Sequence, residues 1–199
     1  MRTVFLAGGI ASGKSTVARM LRSRGAWLCD LDQVAREVVA PGSEALELIC
    51  REFGDDLVDP ETGELRRAEL AARAFDTPED TAKLEAIEMP AIKARLTQIL
   101  TNTCCAATAP MVAVVEIPLL DRVEDLLSLA DEVLVVVAPM VLRRERAIAR
   151  GMTAADFDLR VSRQVSDDYL REHATHVINN DGNAQALEAK VDAWWSSER

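Results

Sequence analysis

Aromatic residues make up only 4% of the 199 residues, and the chain has two histidines, one tyrosine and four cysteines. Cys29, Cys50, Cys104 and Cys105 show no C-x-x-C spacing, and no histidine lies at zinc-ligand distance from them, so a structural zinc site has no ligand set. The adjacent pair Cys104-Cys105 reads as reduced thiols. No apolar run is long enough to cross a bilayer, which argues against membrane association. Met1-Arg2-Thr3 leads directly into the first apolar run and leaves no room for a leader, so a cytoplasmic location is expected. Positive charge is also scarce: 23 Lys and Arg stand against 33 Asp and Glu, a net charge of −10. So acidic a chain is a poor nucleic-acid platform, which needs a broad basic footprint. The basic residues that do occur cluster late, at Arg143, Arg144, Arg146, Arg150, Arg160 and Arg163.

The most informative stretch that is present is Gly8-Gly9-Ile10-Ala11-Ser12-Gly13-Lys14-Ser15. It follows the apolar run Thr3–Ala7, which reads as a buried strand, and precedes Thr16–Leu21, which reads as a helix. That context turns a G-x-x-x-x-G-K-S string into a phosphate-binding loop. Its glycines let backbone N–H groups converge on a polyphosphate, and the helix N-terminus adds its positive dipole end. Lys14 can reach the β- and γ-phosphates, and the Ser15 hydroxyl can ligate Mg²⁺. A nucleoside triphosphate is the implied ligand.

Strand and helix patterns alternate along the chain, which predicts an α/β fold of the P-loop NTPase type, a five-stranded parallel sheet sandwiched by helices. The candidate strands are Thr3–Ala7, Ala26–Cys29, Met111–Ile117, Glu132–Val137 and His176–Ile178. Between the second and third lies a long helical stretch. Leu46, Ile49, Cys50 and Phe53 share one helical face, Asp59–Gly63 is a turn, and Thr77-Pro78 starts another helix. Ile92, Leu96, Ile99 and Leu100 form the face of a further one, and a loop from Thr101 to Pro110 leads to the third strand. A simple crossover needs a single helix, so residues 45–105 are read as an inserted acceptor-binding domain. Residues 1–44, 106–139 and 171–199 are then the nucleotide-binding core, and 140–170 a helical lid.

Three sets of side chains carry candidate chemistry. Asp30 and Asp32 close the second strand; Asp32 is taken as the base for an acceptor hydroxyl, and Asp30 as support or a metal-water contact. One of the two could instead cap the helix starting near Gln33. Glu116 closes the third strand, where it suits the water shell of Mg²⁺ or a pairing with an arginine. Arg143, Arg146 and Arg150, spaced by three and four, fall on one helical face. Such a row is either solvated or a lid that grips phosphate bidentately. Gly151-Met152-Thr153 ends that helix and lets a second one return from Ala154. His173 and His176 have no nucleophile or metal set around them and read as structural, and Trp194-Trp195 as a terminal helix packed on the core.

Together these segments resemble the dephospho-CoA kinase family. The similarity lies in Leu6–Thr16 with its Gly-Gly-Ile loop, Asp30-Leu31-Asp32 followed by Ala35-Arg36-Glu37, Pro41-Gly42, Phe53-Gly54, Pro118-Leu119-Leu120 and Asn179-Asn180-Asp181-Gly182. The resemblance implies transfer of the ATP γ-phosphoryl to the ribose 3′-hydroxyl of dephospho-CoA, with Mg²⁺. It implies Asp32, Lys14 and Arg146 as catalytic residues. ATP would meet Gly9, Ala11, Ser12, Gly13, Lys14, Ser15, Thr16, Arg146, Arg150 and, near the adenine, Asn180. The acceptor would meet Asp32, Arg36, Pro118, Leu119 and Leu120, and the metal Ser15 and Glu116. Three positions depart from the pattern: Met89-Pro90 stands for His-Pro, Asp121-Arg122 follows Pro-Leu-Leu, and Ala11 replaces a glycine. The alternative within the same chemistry is another small acceptor, a nucleoside monophosphate or sugar alcohol. A GTPase switch would need an Asn-Lys-x-Asp element, and no such string follows the fourth strand. Oligomeric state is open between a monomer and a small homo-oligomer.

Overall fold

The computed structural model describes residues 1–197. The chain runs β1 (Arg2–Ala7), α1 (Lys14–Ser23), β2 (Trp27–Asp30), α2 (Leu31–Val38), α3 (Glu44–Phe53), α4 (Arg67–Ala74), α5 (Pro78–Cys104), β3 (Val112–Glu116), β4 (Glu132–Val137), α6 (Met140–Ala149), α7 (Ala154–Ser162), α8 (Asp167–Glu172), β5 (His176–Asn179) and α9 (Ala184–Ser197). It divides into two compact units, Met1–Leu31 with Thr103–Arg199, and Asp32–Asn102. The division follows Leu31, not residue 44, so that α2 falls in the second unit. Residues 140–170 cluster with the sheet.

In the first unit the five strands are parallel, in the order β2-β3-β1-β4-β5. Their Val- and Leu-rich runs lack polar alternation, as strands covered on both faces require. One face carries Val4, Leu6, Val114, Leu134 and Val136, packed with Val17 and Leu21 of α1 and Leu187, Val191 and Trp194 of α9. Glu132 is buried at the start of β4, where it accepts from the Trp194 indole at 2.8 Å and pairs with Arg2 at 2.6 Å. Two donors satisfy a carboxylate that would otherwise be costly to bury. His173 stacks on Tyr169, consistent with a structural role. Among the described residues no helix is long and apolar enough to cross a membrane.

The second unit is helical around Leu46, Ile49, Leu57, Leu70, Ala74 and Leu84, with Cys50 and Phe53 partly buried against them. Ser43 caps α3 by accepting from the Leu46 amide, and Thr77 caps α5 by accepting from the Asp80 amide. Asp59 Oδ1 accepts from the amides of Glu61 and Thr62, and Gly63 at φ 72° closes that turn. The helix expected around Ile92–Leu100 is not separate. It is the second half of α5, which runs 27 residues through Pro90. Pro90 removes one N–H from the ladder but does not end the helix, because Leu84, Ile92, Leu96 and Leu100 keep burying the same element on either side. The expected loop from Thr101 correspondingly begins after Cys104.

Candidate active site

The loop between β1 and α1 is shaped by its own backbone and by distant side chains. The Ser12 amide donates to the Gly9 carbonyl at 3.1 Å, and Thr16 and Val17 donate to the Gly13 carbonyl at 2.9 and 3.0 Å. Gly13 has φ 107°, and a Cβ there would stand 2.2 Å from Asn180 Nδ2. Ala11, at φ 57°, is the non-glycine residue with positive φ among the described residues. That conformation costs an L-residue about 1 kcal/mol, so the surroundings must impose it.

Gly9, Ala11, Gly13, Lys14, Ser15 and Thr16, together with Arg19 and Arg150, line a cavity of about 260 Å³. The first turn of α1 holds no acidic residue, and no side chain caps it. Its N–H groups and dipole are thus left for an outside anion, with three cationic side chains (Lys14, Arg19, Arg150) around the cavity. Lys14 Nζ donates to the Ile117 carbonyl at 2.8 Å, which ties it to the segment after β3. The sequence reading did not include Arg19. Its position one turn after Ser15 on the same helix is the signal that could have found it.

The three arginines do not act alike. Arg143 is 3% exposed, so it is neither solvated nor free to close on a ligand. It donates to the Ile10 carbonyl at 2.8 Å and to Asp167 at 3.1 Å, and burial pushes its guanidinium pKa down while Asp167 opposes that. The lid role expected for the row does not fit Arg143, which is built into the support of the loop. Arg146 donates to the backbone and side-chain oxygens of Asn180 at 3.3 and 3.4 Å, and its buried Nη1 has no protein partner. Arg150 is exposed and lines the cavity. Asn180, buried after β5, donates to the Ser12 carbonyl at 2.7 Å.

Asp30 and Glu116 stand in register at the ends of neighbouring strands β2 and β3. The extended backbone stops at Asp30, so Asp32 does not share its strand face but lies in the first turn of α2, solvent-exposed. Asp32 and Arg36 belong to the helical unit, where the Arg36 carbonyl accepts from Arg67 at 3.2 Å. Pro118, Leu119 and Leu120 line a small apolar recess with Gly8, Gly9 and Gln164, but the Leu120 side chain is 1% exposed and mainly fills the core. A larger cavity of about 300 Å³ lies at the ends of β4 and β5. Its charged groups already have partners: Asp167 with Arg143, Arg171 with Asn179, and Asp181 with Lys190.

A family model for dephospho-CoA kinase matches residues 2–186. The chain belongs to the dephospho-CoA kinase family. A dephospho-CoA kinase of Corynebacterium diphtheriae is 43% identical over 196 residues, covering 98% of this chain and 96% of that protein. A crystal structure of a Thermus thermophilus protein superposes with a TM-score of 0.79 at 30% identity, covering 98% of this chain and 97% of that one. The dephospho-CoA kinase of Campylobacter jejuni shares the fold, with a TM-score of 0.73 at 22% identity over 99% of this chain and 97% of its own. The kinase fold inferred from the sequence is therefore the fold found.

Proposed function

We propose that this kinase transfers the γ-phosphoryl group of ATP to the 3′-hydroxyl of the dephospho-CoA ribose, giving coenzyme A and ADP. The observation that carries the reading is the acid-free N-terminus of α1 opening on a cavity ringed by Lys14, Arg19 and Arg150, in a chain of this family. Positive potential is concentrated there although the whole chain carries a net charge of −10. Loop amides and Lys14 neutralise the β- and γ-phosphates, Arg150 meets the transferring group, and Arg146 offers its unpartnered Nη1 to the nucleotide. Asp32, exposed at the start of α2, takes the proton of the attacking hydroxyl, and Arg36 on the same helix meets the acceptor.

Among the described residues no group of three or more His, Cys, Asp or Glu side chains could hold a metal ion. The oxygen donors at hand, Ser15 and Glu116, fit Mg²⁺, which keeps several waters and takes the rest of its ligands from phosphate. When bound with ATP it would supply charge neutralisation. No disulfide joins Cys29, Cys50, Cys104 and Cys105, which suits a reducing cytoplasm.

The test is ADP release with ATP and Mg²⁺ over a panel of acceptors. Dephospho-CoA should stimulate it, and coenzyme A, whose 3′-oxygen already carries phosphate, should not. Stimulation by AMP or a sugar alcohol with dephospho-CoA inert would reject this acceptor and leave the phosphate loop's role standing.

A further inference from the structure

Ile10 lies inside the phosphate loop, and both of its backbone polar groups are taken by side chains from far along the chain. Its N–H donates to Gln164 Oε1 at 2.8 Å, and its carbonyl accepts from Arg143 Nε at 2.8 Å. Arg143 Nη2 also donates to Gln164 Oε1, at 3.4 Å, which closes a ring of three residues. Asp167 accepts from Nη1 and fixes the other edge of the guanidinium. The fit is tight, since a Cβ on Gly9 would lie 2.2 Å from Arg143 Nη2. The next residue is Ala11, in its left-handed conformation, and after it the Ser12 carbonyl is held by Asn180. With the Ile10 carbonyl held by Arg143 and the Ser12 N–H bonded to the Gly9 carbonyl, the two peptide planes that flank Ala11 are both fixed in its left-handed conformation.

We propose that Gln164, acting through Ile10 and Arg143, is a positioning residue for nucleotide binding. One oxygen of its amide sets the peptide planes that aim the loop's N–H groups at the phosphates before the nucleotide arrives. Preorganised amides bind an anion without a reorganisation cost at that moment. The inference rests on the reading of this loop as an ATP site.

Gln164→Met keeps the length of the side chain and removes the acceptor, which leaves the Ile10 N–H and Arg143 Nη2 unsatisfied. Gln164→Glu keeps an acceptor oxygen. In calorimetric titration of the folded protein, Q164M should bind ATP and ADP at least about tenfold more weakly, and the loss should appear in KM for ATP but not for dephospho-CoA. Q164E should return the affinity to within about threefold of the parent. Hydrogen exchange of the Ile10 amide without nucleotide should quicken at least about tenfold in Q164M and stay slow in Q164E. If Q164M does not fold, Gln164→Asn, one methylene short of Ile10, takes its place with the same expectations. An ATP affinity within about twofold of the parent despite the lost acceptor, unchanged Ile10 exchange, or no rescue by glutamate would overturn the proposal. If the parent itself binds no ATP, the ATP reading fails, and the exchange rates alone decide whether Gln164 holds the loop.

Discussion

Asn180 donates its side-chain amide to the Ser12 carbonyl at 2.7 Å, so the segment after β5 holds the phosphate loop in place. Arg146 donates to Asn180 in turn, at both its backbone and side-chain oxygens. The side chain that family resemblance puts near the adenine is thus engaged on both ends, its nitrogen with the loop and its oxygen with Arg146.

Asn180→Ala should therefore act on the loop, not on base recognition. Leaving the Ser12 carbonyl without its donor should cost about 1–3 kcal/mol of stability, read by denaturant unfolding, and should raise KM for ATP. The preference for ATP over GTP should stay within about twofold of the parent, since no base-reading group has been removed. A large loss of that preference at unchanged stability would make Asn180 an adenine contact.

Arg146 and Arg150 should separate by what each already holds. Arg150 is exposed on the cavity, so Arg150→Ala should leave the thermal midpoint unmoved while kcat/KM falls, by as much as about 10³-fold if it meets the transferring phosphoryl group. Arg146→Ala also releases Asn180, so activity and midpoint should fall together. A loss under about threefold for Arg150→Ala, less than 1 kcal/mol, would mean a solvated side chain.

What was legible in the sequence was local. The five strands and the strand–loop–helix of the phosphate loop show as apolar runs and a glycine spacing, and they lie within a residue or two of where they were expected. The helix start marked by Thr77 is set by a side chain and an amide three residues on. The burial of Arg143 could not be read this way, because it depends on Ile10, Gln164 and Asp167 meeting it from separate segments. Nothing in the string marks Gln164 out among the residues between α7 and α8. The continuity of α5 was also not legible, because the buried positions on either side of Pro90 belong to one helix that their spacing alone does not join.

Glu88 supplies a pH test of the helical unit. Burial pushes its carboxyl pKa up, nearby Glu85 adds to that, and Arg67 opposes it. A folded pKa above the unfolded one means that the folded state binds more protons, so stability falls as pH rises through that window. At neutral pH the charged Glu88 is then a liability. Glu88→Gln should raise the midpoint at pH 7, and the gain should vanish below the unfolded carboxylate range, near pH 3–4. A gain of equal size at both pH values would point to packing instead of ionisation.

Asp32 and Asp30 give the sharpest test of the chemistry, because two residues separate their roles. Asp30 ends β2 in register with Glu116, whereas Asp32 begins a helix, exposed to solvent. Asp32→Asn keeps shape and hydrogen-bonding capacity and removes only the proton acceptor. With dephospho-CoA as acceptor, kcat should fall by about 10²–10⁴, the range for a general base. The Kd for ATP should hold, because Asp32 is no part of the phosphate loop between β1 and α1. Asp30→Asn should lose less in kcat if that carboxylate only supports its neighbours. A wild-type kcat in Asp32→Asn would move the base elsewhere, and a deeper loss in Asp30→Asn would move it to the strand end beside Glu116.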